Sequence, residues 1–340
     1  MSKSENFWAG LIPLSHLKAG DWVEVRSAEE ILATLDERQC LDGLPFMPEM
    51  LRYCGKRFRV FKSAHKTCDT IERWFVMRRM SSAVLLEGLR CDGSAHDGCQ
   101  AGCLFFWKGA WLKRISNDER ADAYQSAVPR PSDDGKWSPL GVQALHDATR
   151  EAKNGSEAAR YRCQATELVR ATTAISPWDP RPYVKDLTSG NVGILEFVWY
   201  GLRAGFNIVA RRLTGRTVPN VCGLAGETTP NQKLNLKVGE VVRVRSKQEI
   251  MRTLNSQQRN RGLFFDVEMT AFCEKDSYRV LTLVEKIIDE KTGKMIKMPN
   301  SCLILDGVTC SGRLSQSRMF CPRSIYPYWR EIWLERSSDN

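Results

Sequence analysis

One stretch near the start of the chain returns near its end, and that recurrence restricts the fold more than any other feature. Leu17-Lys18-Ala19-Gly20-Asp21-Trp22-Val23-Glu24-Val25-Arg26-Ser27 comes back as Leu236-Lys237-Val238-Gly239-Glu240-Val241-Val242-Arg243-Val244-Arg245-Ser246. Over 17–36 against 236–255, eleven of twenty residues are identical at a constant offset of 219. Gly43, Leu44, Glu49, Met50 and Cys54 keep that offset to Gly262, Leu263, Glu268, Met269 and Cys273, and Leu86, Gly88 and Cys91 keep it to Leu305, Gly307 and Cys310. After a slip of three, Cys99, Trp107, Trp111, Leu112 and Arg114 lie 222 positions before Cys321, Trp329, Trp333, Leu334 and Arg336. So many rare residues do not recur by chance. The chain reads as an internal duplication, whose two copies have to fold alike.

Each copy reads as a small β domain. Trp22-Val23-Glu24-Val25-Arg26 alternates with period two, as a half-buried strand does. Lys56 to Phe61 and Tyr278 to Leu281 supply a second strand, and the apolar run before Cys91 and the tryptophan run after Cys103 supply two more. A helical segment follows the first strand, at Glu30–Leu35 and again at Glu249–Leu254. The expected class is α+β: two homologous small β-barrels of the SH3-like kind, residues 1–117 and 236–340, separated by a linker and mainly helical insert over 118–235. A chain of 340 residues is long enough for that arrangement.

Within the insert, Asp118 to Trp137 is polar and proline-punctuated, a linker pattern. Gly141–Arg150 and Ser156–Thr172 have helical spacing, whereas the prolines of Ser176–Tyr183 argue against a helix there. Val192–Arg212 is the most apolar segment. On a helix its polar residues Glu196, Arg203 and Asn207 form one narrow stripe, which predicts burial between domains. Charges inside the run argue against a membrane span; an interfacial membrane helix and a span are the lesser alternatives, and a membrane surface is not expected as a partner. Gly201 and Gly205 are a small-xxx-small pair, read as a mark of close packing.

The chain has twelve cysteines, and Met1–His16 lacks the pattern of a signal peptide. A cytoplasmic location is expected, with reduced thiols. Clustered reduced thiols favour metal ligation over disulfides. Cys54, Cys91 and Cys99 have the counterparts Cys273, Cys310 and Cys321, and Cys68 and Cys302 each precede the third strand of their copy. Each copy thus offers four thiols, the number a tetrahedral structural zinc takes. The expectation is two zinc sites, with iron–sulfur clusters as the alternative. Cys40, Cys163 and Cys222 read as ordinary thiols without a metal role. Cys103 and His96 belong to the first copy alone, which makes them the candidates for a catalytic role; His65 shares that restriction.

Net charge is +10, spread as 17 Lys+Arg against 14 Asp+Glu over 1–117, 15 against 13 over 118–235, and 18 against 13 over 236–340. No stripe or tail gathers it, so a dedicated nucleic-acid groove is the weaker reading. Trp111 with Arg114 and Trp333 with Arg336 offer one aromatic–basic surface per barrel, suited to a protein partner and also to single-stranded nucleic acid. Arg243 and Arg245 add basic charge to a strand of the second copy. No phosphate loop, nucleophile elbow or HExxH motif is present. The chain is expected to be a non-enzymatic, metal-stapled tandem-barrel accessory protein that binds another protein. The alternatives are a zinc, iron–sulfur or thiol enzyme with its site at His96, Cys99 and Cys103, and a nucleic-acid-binding protein.

Overall fold

Gly20 and Gly239 open the first strand of each repeat with φ of 90° and 91°, a left-handed backbone that glycine adopts without strain. The next residue closes the turn: Lys18 N donates to Asp21 Oδ2 at 2.9 Å, and Lys237 N donates to Glu240 Oε1 at 3.1 Å. The computed structural model describes residues 17–71, 76–115, 139–151, 159–176, 178–215 and 219–337. The chain divides into two units, one of Met1–Gly98, Cys103–Ile194 and Asp289–Met295, the other of Cys99–Gly102, Leu195–Ile288 and Ile296–Asn340. The described part of the expected insert is shared between them.

In the first unit β1 (Trp22–Val25) is followed by α1 (Ala28–Leu32). Ser27 caps α1 through a reciprocal capping box with Glu30, which satisfies two amides that a helix start leaves open. Then come β2 (Arg57–Ser63), β3 (Lys66–Cys68), β4 (Met77–Arg79), β5 (Ala83–Arg90), β6 (Leu104–Lys108) and β7 (Leu112–Arg114). The main sheet is antiparallel in the order β6-β5-β2-β1-β7. α2 (Pro139–Ala148), β8 (Thr173–Ala174) and α3 (Arg181–Thr188) complete the unit, with a small sheet in the order β8-β4-β3.

The second unit holds α4 (Ile194–Thr214, all but its first residue), β9 (Val241–Val244), α5 (Lys247–Thr253), β10 (Ser277–Ile288), nearly all of β11 (Met295–Leu305) and β12 (Leu334–Arg336). Its sheet runs β11-β10-β9-β12, the order of β5-β2-β1-β7 in the first. The registers also correspond. Trp22 faces Arg59 and Val241 faces Arg279; Val23 faces Arg114 and Val242 faces Arg336; Val84 faces Trp107 and Leu303 faces Trp329. Both sheets are curled half-barrels in a mixed α+β chain. Ser246 and Glu249 repeat the capping box at α5.

Each curled sheet closes over two tryptophans. Trp107, Trp111, Trp329 and Trp333 are all 0% exposed. Phe46 packs edge-on against Trp111 at 5.2 Å between centroids, and Phe265 against Trp333 at the same distance. The buried indole N–H of Trp111 donates to Thr34 Oγ1 at 3.1 Å, and that of Trp333 donates to Thr253 Oγ1 at 2.9 Å, whereas those of Trp107 and Trp329 have no partner. This corrects the expected aromatic surfaces. Large rings with this much apolar area are taken up by the cores, and Trp111 and Trp333 present nothing to a partner.

Three other expectations change. Ser156–Thr172 is described only from 159 onward, where a short strand and turns replace the expected helix. α3 contains Pro182, which its first turn tolerates because the amide there has no intrahelical partner. α4 does form where the apolar run predicted a helix, but it is not buried. Its polar stripe faces inward, with Asn207 buried and Glu196 paired to Arg313 at 2.5 Å, while its apolar side lies in solvent. Asp118–Trp137 lies outside the described residues. Among the described residues no helix is long and apolar enough to cross a membrane.

Candidate metal centre

Among the described residues, one group of three metal-ligating side chains converges: Glu49, Cys91 and His96, with donor atoms all within 4.8 Å of one another. Glu49 lies on the 3-10 turn Pro48–Tyr53, and Cys91 follows the last residue of β5. The Gly-rich loop then folds back in a tight 3-10 turn, Ser94–His96, between Gly93 (φ 75°) and Asp97 (φ 51°). Glycine makes the first of these left-handed positions easy, and the turn drops His96 onto Glu49.

Glu49 Oε1 lies 3.2 Å from His96 Nδ1 and 3.7 Å from Cys91 Sγ, and it accepts Ala95 N–H at 3.0 Å. Zinc bonds of about 2.0–2.3 Å in a tetrahedron imply donor-to-donor edges of roughly 3.3–3.8 Å. The two measured edges match that spacing within about 0.1 Å. Glu49 is 6% exposed and His96 1%. Glu49 Oε2 and His96 Nε2 have no hydrogen-bond partner, and His96 Nδ1 has the Glu49 Oε1 oxygen beside it. A buried polar atom left without a partner costs about 1–3 kcal/mol, and Glu49 Oε2 and His96 Nε2 are two such atoms. A cation beside Glu49 and Cys91 would take one ring nitrogen of His96, since the two nitrogens diverge and one ion cannot hold both.

Burial by itself raises the Glu49 carboxyl, yet the adjacent His96 ring and the Ala95 amide hold it below the usual range. Burial, and after it the Glu49 carboxylate and the Cys103 sulfur, push the Cys91 thiol far up. Cys103 is tied to the site through its carbonyl, which accepts Cys91 N–H at 2.8 Å.

The four thiols expected in each copy do not gather. Cys54 packs beside the first core, where burial pushes it up to about 12, and Cys68 is buried in β3. Cys99 Sγ accepts Ile288 N–H at 3.4 Å in the second unit. Cys273 and Cys302 are each pushed up to about 11 by burial, and the Cys302 thiol donates to Val284 O at 3.6 Å. Cys310 is likewise pushed far up by burial, and Cys321 is buried. Neither set of four forms a ligand group among the described residues. In these places the thiol serves as a small apolar side chain.

The second unit shows what becomes of the same frame without a histidine. Glu268, the counterpart of Glu49, accepts Ser311 Oγ–H at 2.9 Å and Arg313, Leu314 and Ser315 N–H at 3.2, 2.7 and 2.7 Å. Its carboxylate is saturated by the loop itself. Glu49 and Glu268 were visible in the sequence as a matched pair of acids at the constant offset, beside a matched cysteine. A matched acid on an otherwise apolar turn is the signal that cysteine counting passed over.

A second polar cluster surrounds His65. Its Nε2 donates to Pro182 O at 2.9 Å and lies 3.2 Å from Asp186 Oδ1, while Nδ1 is 3.3 Å from Ser63 Oγ. Lys66 pairs with the other oxygen of Asp186, and both are fully buried. Over this cluster lies a cleft of about 270 Å³ with Arg79, Arg181 and Lys185 among its walls. The basic residues expected to bind are engaged. Arg114 pairs with Asp21, and Arg336 pairs with Glu240 at 3.2 Å. Arg245 donates to Leu334 O at 3.0 Å, and Arg243 to Glu274 O at 3.4 Å. No family model, curated protein or solved structure matches the chain.

Proposed function

We propose that the chain is a metal-stapled accessory protein, built on a duplicated SH3-like barrel, that holds one zinc ion in its first unit and binds another protein. The convergence of buried Glu49 and His96 on the Cys91 sulfur, with Glu49 Oε2 and His96 Nε2 left unpartnered, supports the metal. The mixed oxygen, sulfur and nitrogen set suits zinc, whereas iron–sulfur clusters take sulfur from four cysteines or from two with two histidines. The burial of Glu49 and His96 favours a closed structural site, since a catalytic zinc keeps one position open to water and substrate. Such a metal adds its binding free energy directly to folding. The binding role is supported by α4, which exposes Leu195, Trp199, Leu202, Phe206, Val209 and Leu213 on one side.

Elemental analysis of the purified full-length protein tests the metal. One equivalent of zinc is expected, lost in Glu49→Gln, Cys91→Ser and His96→Ala and retained in Cys273→Ser and Cys310→Ser. Cobalt in its place should show the visible bands of tetrahedral coordination and the near-ultraviolet band of a thiolate ligand. A folded protein free of metal after preparation with zinc would remove the proposal. Two equivalents, with the second lost in Cys310→Ser, would return the reading to one site per copy.

A further inference from the structure

The cleft over His65 lies within the first unit and shares no residue with the metal centre. Arg79 on β4 and Arg181 and Lys185 on α3 stand on its walls, and no carboxylate does. Arg181 and Lys185 are four apart on one helix, a like-charge spacing that weakens a helix rather than supporting it. Both arginines are held by a single acid that does not line the cleft. Asp179 accepts from Nη2 of Arg79 at 2.6 Å and from Nε and Nη2 of Arg181 at 2.8 and 3.0 Å. Lys185 has no acidic partner among the described residues. Three cations against this one acid leave two positive charges over, whereas Arg114 and Arg336 each have an acid to themselves.

The frame behind these charges is fixed. The buried pair of Lys66 and Asp186 ties β3 to α3, and β3 pairs with β4, so the helix that carries Arg181 and Lys185 is held against the strand that carries Arg79. The His65 ring is locked in the floor by Pro182 O and Ser63 Oγ. Donors positioned in advance lose little freedom when a ligand arrives. We propose that this cleft binds a phosphate monoester of a small molecule. Such a group carries close to two negative charges at neutral pH and three acceptor oxygens, which match the two charges left over; a carboxylate would bring only one. Guanidinium forks and a lysine point charge are the usual partners of a phosphoryl group. Met80 and Pro182, both buried, give the cleft an apolar wall for the body of the ester. Its volume of about 270 Å³ is far above the roughly 10–15 Å³ that admits one water, so more than a bare ion fits.

Isothermal titration of the full-length protein with inorganic phosphate, glycerol 3-phosphate and ribose 5-phosphate tests the site. Phosphate should bind with a Kd below about 1 mM, and at least one of the two esters roughly tenfold tighter. Ribose and acetate should not bind. Lys185→Gln and Arg181→Gln should each weaken phosphate binding roughly tenfold or more, because each removes a charged donor. Lys185→Arg, which keeps the charge, should retain most of the affinity. Lys113→Gln is the control: Lys113 is exposed on β7 of the same unit and outside the cleft, and its loss removes the same charge. That substitution should leave the affinity unchanged. Circular dichroism should be that of the parent in all four.

No binding of phosphate or of either ester up to about 10 mM overturns the proposal. So does an affinity that Lys113→Gln lowers as much as Lys185→Gln, which would mark diffuse attraction to a basic protein. Phosphate binding with neither ester tighter than the free ion would overturn the monoester and assign the cleft to the ion alone. Binding confined to vesicles that contain phosphatidic acid, with phosphate and both esters silent, would overturn it in favour of a lipid surface.

Discussion

Glu268→Ala is expected to destabilise the second unit by about 3–5 kcal/mol, measured as a shift of its urea midpoint at constant slope. The carboxylate ends four hydrogen bonds from one loop, three of them from consecutive backbone amides at Arg313, Leu314 and Ser315. Bonds to a charged acceptor contribute about 1.5–3 kcal/mol each, and donors that lose their acceptor without meeting water add a further cost. Water reaches part of the loop, which keeps the total below the sum. Glu268→Gln should cost less, about 1–2 kcal/mol, because the amide oxygen can still accept Leu314 and Ser315, the two amides that Oε1 now receives. Glu49→Gln supplies the contrast. In zinc-free protein it should cost under about 1 kcal/mol, since Glu49 accepts a single amide and its Oε2 has no partner. In zinc-loaded protein the same substitution should remove the metal's whole contribution. Equal costs for the two substitutions in zinc-free protein would refute the distinction between a saturated acid and one awaiting a cation.

The repeat carried most of what could be read from the sequence, because period-two alternation and Gly-Asp turns are local and do not depend on the rest of the fold. The capping boxes at Ser27 and Ser246 are equally local. The repeat also fixed, unknowingly, the place of the acids: Glu49 and Glu268 were matched before any geometry was available. What defeated the reading was chemistry that depends on depth. A cysteine is both a soft ligand and a good core residue, and the recurrence of Cys54 as Cys273 reflects burial under the sheet as readily as it would a metal. Repetition preserves whatever is needed, without saying which need it was.

The tryptophans failed for the same reason. Trp and Arg at a fixed spacing of three suit an interaction surface, yet Trp111 and Trp333 end the 3-10 turns that tuck the last strand under each core. The arginine three residues on points the other way and is exposed. In α4 the polar stripe was located correctly and its meaning inverted. A narrow polar stripe on an otherwise apolar helix predicts burial of the apolar circumference. Glu196 instead pairs with Arg313 and Asn207 is buried, while the apolar circumference is the exposed one. Periodicity tells which residues share a face; it does not tell which face has a neighbour.

Asp186→Ala is expected to have the largest effect on the first unit, about 3–5 kcal/mol, or a fall of roughly 10 °C in melting temperature for a unit of this size. Lys66 and Asp186 are each fully buried and pair directly, with the Lys66 ammonium also 4.2 Å from the centroid of the Tyr183 ring. The pair joins β3 to α3, and on the same carboxylate Asp186 Oδ1 lies 3.2 Å from His65 Nε2. Removing the acid takes from an enclosed lysine the carboxylate it pairs with, and desolvating a charge costs far more than one hydrogen bond. Lys66→Met should cost a similar amount by stranding the carboxylate. Replacing both at once, as Lys66→Met with Asp186→Leu, should recover most of the loss, because well-packed apolar side chains of similar volume match or exceed a buried ion pair in stability. Thermal melts of the four proteins close this cycle. A double variant as unstable as the sum of the two single ones would show that the charges do not act as a pair, and that the singles fail through packing alone.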